Sequence, residues 1–353
     1  MYYFKTLYIF LFFIALNLFF FSTVNVSAKS FQVDEIEISE PFKEKFDKNL
    51  VIDKGFRNAF LKLISMLVKS NDFNKVESIG LNEIKSMIES FTIQEEKFID
   101  QTYYVKLGVN FDKKKIYNYL EKNNIFPSQI KNEKFLFLPL IIDESTNDII
   151  FYANNPLYEN WNLDKSKNYL INYLLPTEDL EDFNLIKNNV DNIENYNFKE
   201  IIKKYNLNNS IVSIIFRNKD NIKVLSKIFI EDKEIILNNS FKNYDLNNQK
   251  EIEYFVDELK IIYEDLWKKQ NEINTSIKLP LIIKIDNQNL EISLKIENIL
   301  REIDLISYYS IKNFDKNYIY YEIIFNGTPQ NFIKIMNDRN YSFDTQNKIW
   351  VLK

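Results

Sequence analysis

The only dense group of carboxylates beside a predicted strand end lies in the middle of the chain. It consists of Glu178, Asp179, Glu181 and Asp182. Hard cations such as Ca²⁺ and Mg²⁺ take several oxygen ligands, and one loop could supply three of them, so Asp179, Glu181 and Asp182 are candidate metal ligands. The alternative is a solvated turn whose acids cap the next helix. It is favoured because the glycine-containing spacing of a Ca²⁺ loop is absent.

Most other catalytic chemistry lacks its residue types. The chain contains no histidine and no cysteine, which removes thiol nucleophiles, Ser-His triads, histidine bases, thiolate zinc sites and disulfides. Ser128 and Lys131 match a Ser-x-x-Lys pattern whose companion Lys-Thr-Gly is absent. The four glycines are too scattered for a P-loop or a dinucleotide-binding loop. We therefore assign no catalytic residue and no cofactor, although a glycosidase-like carboxylate pair stays open.

Two aromatic residues are candidates for contact with a partner. Tyr158 and Trp161 lie in a loop that is predicted to follow a central strand. Loop aromatics often make binding contacts, so both are candidate binding residues. The alternative is a lid over the core.

The segment 29–126 is predicted to fold as a β-α-α-β-β-α module. Apolar residues recur every three or four positions over residues 52–67, which indicates a helix with one buried face. Gly55 inside that helix indicates a close crossing by a neighbouring element. Residues 91–99 and 102–111 are predicted strands joined by a tight turn.

The segment 127–274 is predicted to be a central α/β module. Its residues 135–142 form a nearly continuous apolar run, which is typical of a strand covered on both faces. The pattern then predicts helices near 163–173 and over 198–205, a strand over 211–215, two meander strands, and a helix over 251–270.

The segment 275–353 is predicted to be a ferredoxin-like β-α-β-β-α-β unit. Thr328 and Pro329 supply the N-cap and the first-turn proline of its second helix. The fold class expected for the whole chain is therefore α+β, built from three small α/β modules.

The first residues have the pattern of an export signal. Lys5, an apolar run over residues 7–21 and the small residues before Lys29 predict a secretory signal peptide, 1–28, cut after Ala28. The alternative is an uncleaved anchor, because residues 7–26 are long enough to cross a bilayer. We expect a periplasmic protein, or one anchored in the inner membrane if the segment stays uncleaved, with membrane contact only in that second case.

The charge pattern argues against nucleic-acid binding. The chain has a formal net charge of -5, and its four arginines are scattered without a basic stripe. A mildly acidic surface does not attract phosphate, so no nucleic-acid partner is expected.

Several motifs occur in a fixed order along almost the whole mature chain. They are Gly-Phe-Arg-Asn-Ala-Phe at 55–60, a strand ending in Phe-Asp at 104–112, Phe-Leu-Pro-Leu at 137–140 and Leu-Leu-Pro-Thr-Glu-Asp-Leu-Glu-Asp at 174–182. Together they resemble the proteobacterial envelope family known as domain of unknown function 2066. The chain departs from that family in lacking its alanine and arginine richness and the tryptophan expected in its apolar strand and meander. The resemblance implies an exported envelope protein and brings no catalytic residues.

These observations predict a non-catalytic binding or scaffold protein of the cell envelope, with another envelope protein or polymer as its partner. The alternative is a metal-assisted or two-carboxylate hydrolase acting on envelope polymers, with Asp179, Glu181 and Asp182 as its candidates. An exposed apolar patch would favour the binding protein, whereas carboxyl groups converging in a deep cleft would favour the enzyme.

Overall fold

The described chain combines helices with three β-sheets. A computed structural model describes residues 31–146, 148–163, 168–219, 221–231, 233–288 and 290–353. Helices and strands are mixed along these residues and form several sheets, which confirms the α+β fold class. The predicted signal peptide 1–28 lies outside them. Within this part of the chain, no helix combines the length and the apolar character that a membrane crossing requires.

The N-terminal module is a three-stranded antiparallel sheet with helices on one face. Its elements are β1 (Gln32–Pro41), α1 (Lys48–Leu67), α2 (Ser70–Phe73), α3 (Leu81–Met87), β2 (Ile88–Ile99), β3 (Thr102–Phe111) and α4 (Lys113–Lys122). The strand order is β1-β3-β2. The hairpin turn between β2 and β3 has positive φ at Asp100 (48°) and Gln101 (58°), a geometry that matches the twist of the flanking strands.

The helix α1 lies close against this sheet. Its buried face includes Phe56, Phe60 and Leu63, in agreement with the helical spacing of the sequence. A Cβ atom at Gly55 would overlap Cδ1 of Leu107 on β3. The glycine therefore permits the close crossing that the sequence predicted.

The central module is a mixed six-stranded sheet with helices on both faces. Its elements are β4 (Glu133–Asp143), β5 (Asp148–Ile150), α5 (Pro156–Trp161), β6 (Ile171–Leu174), α6 (Leu180–Asn188), α7 (Lys199–Lys203), β7 (Asn209–Asn218), β8 (Asn221–Ile230), β9 (Lys233–Lys242) and α8 (Gln249–Gln270). The order is β5-β4-β7-β8-β9, and β6 also pairs with β4. Phe137 on β4 belongs to the apolar core on one face and Leu138 to the core on the other, so β4 is the central strand that the sequence predicted.

One predicted element of this module is wrong. Instead of a helix near 163–173, the described residues contain the short strand β6, which pairs in parallel with the start of β4. Ile171 and Tyr173 point into the core while Asn172 and Leu174 are exposed. A short apolar run fits either period locally, and pairing with β4 selects the strand.

The C-terminal module has one strand more than predicted. Its elements are β10 (Leu279–Asp286), α9 (Leu290–Glu302), β11 (Ile306–Phe314), β12 (Tyr318–Phe325), α10 (Pro329–Asn337), β13 (Phe343–Asp344) and β14 (Ile349–Leu352). The strand order is β11-β12-β10-β14-β13. A strand directly after α10 would run antiparallel to β10, but β13 reverses the chain first, so β14 lies parallel to β10. The ferredoxin-like interpretation is therefore not confirmed.

The three modules pack on one another through buried polar contacts and a shared core. One apolar cluster contains residues of the N-terminal and the C-terminal modules. At that junction the Lys113 ammonium donates to the carbonyl of Ile303 at 2.6 Å. On the central module, the ammonium of Lys268 on α8 donates to the carbonyls of Ser65 (2.6 Å) and Val68 (2.9 Å) at the end of α1. The favourable charge at the C-terminus of α1 thus comes from another module.

Candidate functional site

The predicted site residues of the central module lie at a break in its sheet. Both β5 and β6 pair with the same edge of β4, β6 near its start and β5 near its end. Between the two, Pro139 of β4 offers no N–H, and its carbonyl accepts a hydrogen bond from the Asn155 side chain at 3.1 Å. The segments that leave β5 and β6 meet there, where the Ala153 N–H donates to Glu178 Oε1 at 3.3 Å. The sheet break thus brings Tyr158 into the same region as Glu178, Asp179, Glu181 and Asp182, which we call the acidic phrase.

The acidic residues cap a helix and bind one lysine. Asp179 is the N-cap of α6 and accepts hydrogen bonds from the N–H groups of Glu181 (2.8 Å) and Asp182 (3.2 Å). The ammonium of Lys204 lies 3.0 Å from Asp179, 3.5 Å from Glu181 and 2.7 Å from Asp182. Its hydrogen bond lowers the pKa of Asp179, and its bonds to Asp182 and Asp179 raise the pKa of Lys204.

This arrangement gives the metal-ligand prediction no support. Asp179, Glu181 and Asp182 surround an ammonium group, and Asp179 also receives two backbone N–H groups. Among the described residues, no group of three or more acidic side chains has the geometry to hold a metal ion. The geometry instead matches the alternative of acids that cap the next helix.

Three buried polar atoms in this region have no hydrogen-bond partner among the described residues. They are Oη of Tyr152, Oη of Tyr158 and Oδ2 of Asp182. Burial, followed by the charge of Asp182, raises the pKa of Tyr152, and burial followed by Tyr152 raises the pKa of Tyr158. A buried hydroxyl without a partner costs free energy, so the hydroxyls of Tyr152 and Tyr158 destabilise the fold at this break.

Tyr158 and Trp161 lie in the helix α5 and not in a loop as predicted, and Trp161 is a core residue. Its side chain is fully buried and stacks on Phe137 with the ring centroids 3.7 Å apart. The sequence singled out Trp161 as a possible contact residue, but its ring is not accessible to a partner. The structure instead matches the alternative of a lid over the core, and Tyr158, only half-buried, packs beside Tyr152.

A surface that the sequence analysis did not single out lies on the N-terminal module. The strand β2 is paired with β3 on one side only, so its other edge is free along all its described residues. Four of its apolar side chains are strongly exposed, namely Phe91 (46%), Ile93 (40%), Phe98 (57%) and Ile99 (49%). We call this strand, with these four side chains, the β2 edge. Long, exposed, apolar strand edges are uncommon in monomeric proteins because they pair with other chains.

Three of the exposed side chains of the β2 edge, Phe91, Ile93 and Phe98, lie at the border of the helix-covered face. Phe91 and Ile93 lie opposite Val109 and Leu107 of β3, which are buried beneath the helices. These side chains of β2 therefore point to the helix-covered face but are only partly covered. Two aromatic contacts hold side chains of the β2 edge in place. The Phe91 ring packs on Phe56 with the ring centroids 5.0 Å apart, and the Phe98 ring packs on Phe42 with the centroids 4.9 Å apart.

The fold and this surface define an α+β protein of three packed sheets, in which the β2 edge is a free strand edge with four exposed apolar side chains. No family model matches the chain. The resemblance to domain of unknown function 2066 therefore stays a prediction. The chain is similar to the protein Ycf2 of Physcomitrium patens, with 24% identity over 282 residues that cover 76% of this chain and 12% of Ycf2. Since the match spans only about an eighth of Ycf2 and the identity is low, it establishes neither a family nor an activity.

Proposed function

We propose that the protein is an exported binding protein of the cell envelope that takes up an extended segment of its partner along the β2 edge. The single observation behind this proposal is a twelve-residue strand that is exposed along its length and paired on one side only. A partner strand laid against it would extend the sheet β1-β3-β2 by one strand, a common mode of peptide recognition.

Main-chain hydrogen bonds would supply the general affinity of such a complex. In an antiparallel sheet, alternate residues of an edge strand direct their N–H and C=O groups away from the sheet. Each hydrogen bond that these groups form with the partner contributes about 0.5–1.5 kcal/mol net. Several such bonds along β2 offset part of the entropic cost that an extended segment incurs on binding.

The exposed side chains would supply the selectivity. Phe91, Ile93 and Phe98 lie on one face of β2, and each is about half exposed. Covering the exposed half of such a side chain contributes about 1 kcal/mol. A partner with apolar side chains on the matching face of its strand is therefore preferred.

Binding can be measured with a soluble synthetic peptide of about ten residues that alternates valine and threonine and has a pair of glutamines at its centre. We expect it to bind the mature chain and to slow amide hydrogen exchange in β2. The control is the same peptide with alternate backbone nitrogens methylated, which keeps the side chains and removes the donors. Equal binding of both peptides, or slowed exchange elsewhere but not in β2, would contradict strand addition.

A pair of protein variants tests the apolar side chains of the β2 edge. Phe91→Ser combined with Phe98→Ser should weaken peptide binding at least tenfold, which corresponds to about 1.4 kcal/mol. Phe314→Ser is the matched control, because Phe314 is 75% exposed on β11 of the C-terminal module. A similar loss of binding in the control would show that the peptide does not recognise the β2 edge.

Export is supported by the N-terminal sequence, and N-terminal sequencing tests it. Protein recovered from the periplasmic fraction is expected to begin at Lys29. Recovery of the intact N-terminus in the membrane fraction would instead support the uncleaved anchor. Recovery in the cytosol would refute export.

A further inference from the structure

The charge of the N-terminal sheet restricts the partners that fit the β2 edge. The acids of β1 and β2 are Asp34, Glu35, Glu37, Glu40, Glu89, Glu95 and Glu96, whereas the lysines of the three strands are Lys97 and Lys106. A shallow groove of about 370 Å³ on the outer face of the sheet is lined by Glu37 and Glu95 together with Lys97 and Lys106. The three strands therefore carry more acidic than basic side chains, and Lys48 and Lys54 of α1 pair with two of the acids, Glu96 and Glu40.

Two of these acids lie at the centre of the β2 edge. The side chain of Glu95 is 48% exposed and forms an ion pair with Lys97 through Oε1. The side chain of Glu96 is 41% exposed and accepts hydrogen bonds from Lys48 (2.6 Å) and Tyr103 (3.0 Å), both also at Oε1. Within the described residues, Oε2 of each carboxylate therefore keeps its capacity to accept a hydrogen bond from outside.

We infer that the segment bound by the β2 edge is cationic, with lysine or arginine opposite Glu95 and Glu96 and apolar residues on either side. This inference rests on the proposed function, because it names the chemistry of the partner strand. Opposite charges across neighbouring strands stabilise their pairing. Glu96 lies on the same face as Phe91 and Phe98, so the partner strand presents a basic side chain between two apolar ones on that face.

The same charges argue against a second copy of this chain as the occupant. The register shift between Ile93 and Glu95 lies near the middle of β2. Two copies of β2 paired antiparallel about Glu95 and Glu96, just beyond that shift, would place Glu95 of each chain opposite Glu96 of the other. Like charges directly opposed destabilise strand pairing, and charged residues on edge strands commonly prevent self-association.

The test uses the valine-threonine peptide with its central glutamine pair replaced by lysines or by glutamates. We expect the lysine peptide to bind about tenfold more tightly than the glutamine peptide at low salt, and the glutamate peptide more weakly than either. Raising the salt concentration should reduce the difference, because exposed charges are screened.

A matched pair of variants localises the effect. Glu95→Gln combined with Glu96→Gln should abolish the preference for lysine. Glu253→Gln combined with Glu258→Gln removes the same charge from exposed positions on α8 of the central module and should largely keep it. An equal loss in both variants would assign the preference to the overall charge and overturn the inference. Circular dichroism of each variant shows whether it is folded.

The remaining outcomes separate this inference from the proposed function. Equal binding of the lysine and glutamate peptides, with exchange slowed in β2, would overturn the cationic partner and leave strand addition intact. Failure of all peptides to bind or to slow exchange in β2 would overturn both. Dimerisation of the peptide-free chain at micromolar concentration, with β2 protected, would show that a second copy is the occupant.

Discussion

Replacing Tyr263 by phenylalanine tests how strongly a single buried hydroxyl holds the long helix α8 on the central sheet. Tyr263 Oη lies 2.6 Å from Ser213 Oγ and 2.8 Å from Ser226 Oγ. The two serines face each other on β7 and β8, and the tyrosine side chain is 1% exposed. The hydroxyl thus joins one helix to two strands.

The expected cost of this change follows from the lost bonds. Two hydrogen bonds at about 0.5–1.5 kcal/mol each predict that Tyr263→Phe lowers the free energy of unfolding by about 1–3 kcal/mol. Tyr158→Phe is the matched control in the same module, because it removes the same atom from a buried position where that atom has no partner among the described residues. We expect the control to range from no change to a gain of about 1 kcal/mol.

Urea unfolding at equilibrium measures both values. The midpoint should fall for Tyr263→Phe and should stay or rise for Tyr158→Phe, with the same slope in both. A loss for Tyr158→Phe as large as that for Tyr263→Phe would refute the assignment, because it would show that the Tyr158 hydroxyl is satisfied. A cost near zero for both would refute the claim that the serine contacts stabilise the fold.

The pH dependence gives an independent check on the same residue. Burial raises the pKa of Tyr263 to about 12, above its usual value near 10. Its contribution to stability is therefore complete below about pH 10 and is lost as pH rises from about 10 to 12, because only the unfolded state releases the proton there. The stability difference between the wild type and Tyr263→Phe should shrink over that window. A constant difference would contradict the burial of the hydroxyl.

Three further outcomes are expected. Lys204→Met should lower the urea midpoint more than Lys203→Met, because Asp182 is 1% exposed and would lose its counter-charge. The pKa of Asp179 is lowered, so the stability that Asp179 contributes is present above about pH 4 and is lost on acidification. Equal effects of the two substitutions at neutral pH would refute the stabilising role of the Lys204 ion pairs. Gly55→Ala should cost about 1–3 kcal/mol through overlap with Leu107, whereas Gly80→Ala, with open space around it, should be nearly neutral; similar costs would contradict the close crossing. Adding about 1 mM Ca²⁺ should leave the thermal midpoint unchanged, because Lys204 occupies the acidic phrase, and a rise abolished by Asp182→Asn would restore the metal-ligand prediction.

Local signals were sufficient for many elements of the fold. The hairpin of β2 and β3 follows from two alternating runs around Asp100 and Gln101, and both turn residues adopt positive φ. The start of α4 follows from Asp112, whose side chain accepts a hydrogen bond from the Lys115 N–H at 3.0 Å. Such signals depend on residues a few positions apart, so the sequence contains them completely.

Pairings between distant segments were not predictable in the same way. The sequence predicts β6 as part of a helix, because over so few residues the helical and the strand spacing of apolar side chains cannot be distinguished. Only the pairing of β6 with β4 decides between them. The two-residue strand β13 was not predicted, yet it reverses the chain and sets the direction of β14. Short elements such as these have little local preference of their own.

The candidate sites show the same division. The sequence identified the acidic phrase but not Lys204, which lies more than twenty residues further along the chain and binds three of its carboxylates. Trp161 is of a residue type that often contacts partners, and its burial depends on Phe137 of β4, a distant element. The apolar side chains of β2 alternate like those of a covered strand, and nothing in their spacing indicates that the helices cover them only in part.

The sequence alone therefore established the export pattern, the absence of histidine and cysteine chemistry, the caps and the long elements, because each depends on residue type or short-range spacing. The packing of α1 on β1 and β3, the break beside β4 and the free β2 edge required the folded chain. They depend on which faces remain uncovered once distant segments meet, and the physical cause is competition among many apolar faces for the same limited interior.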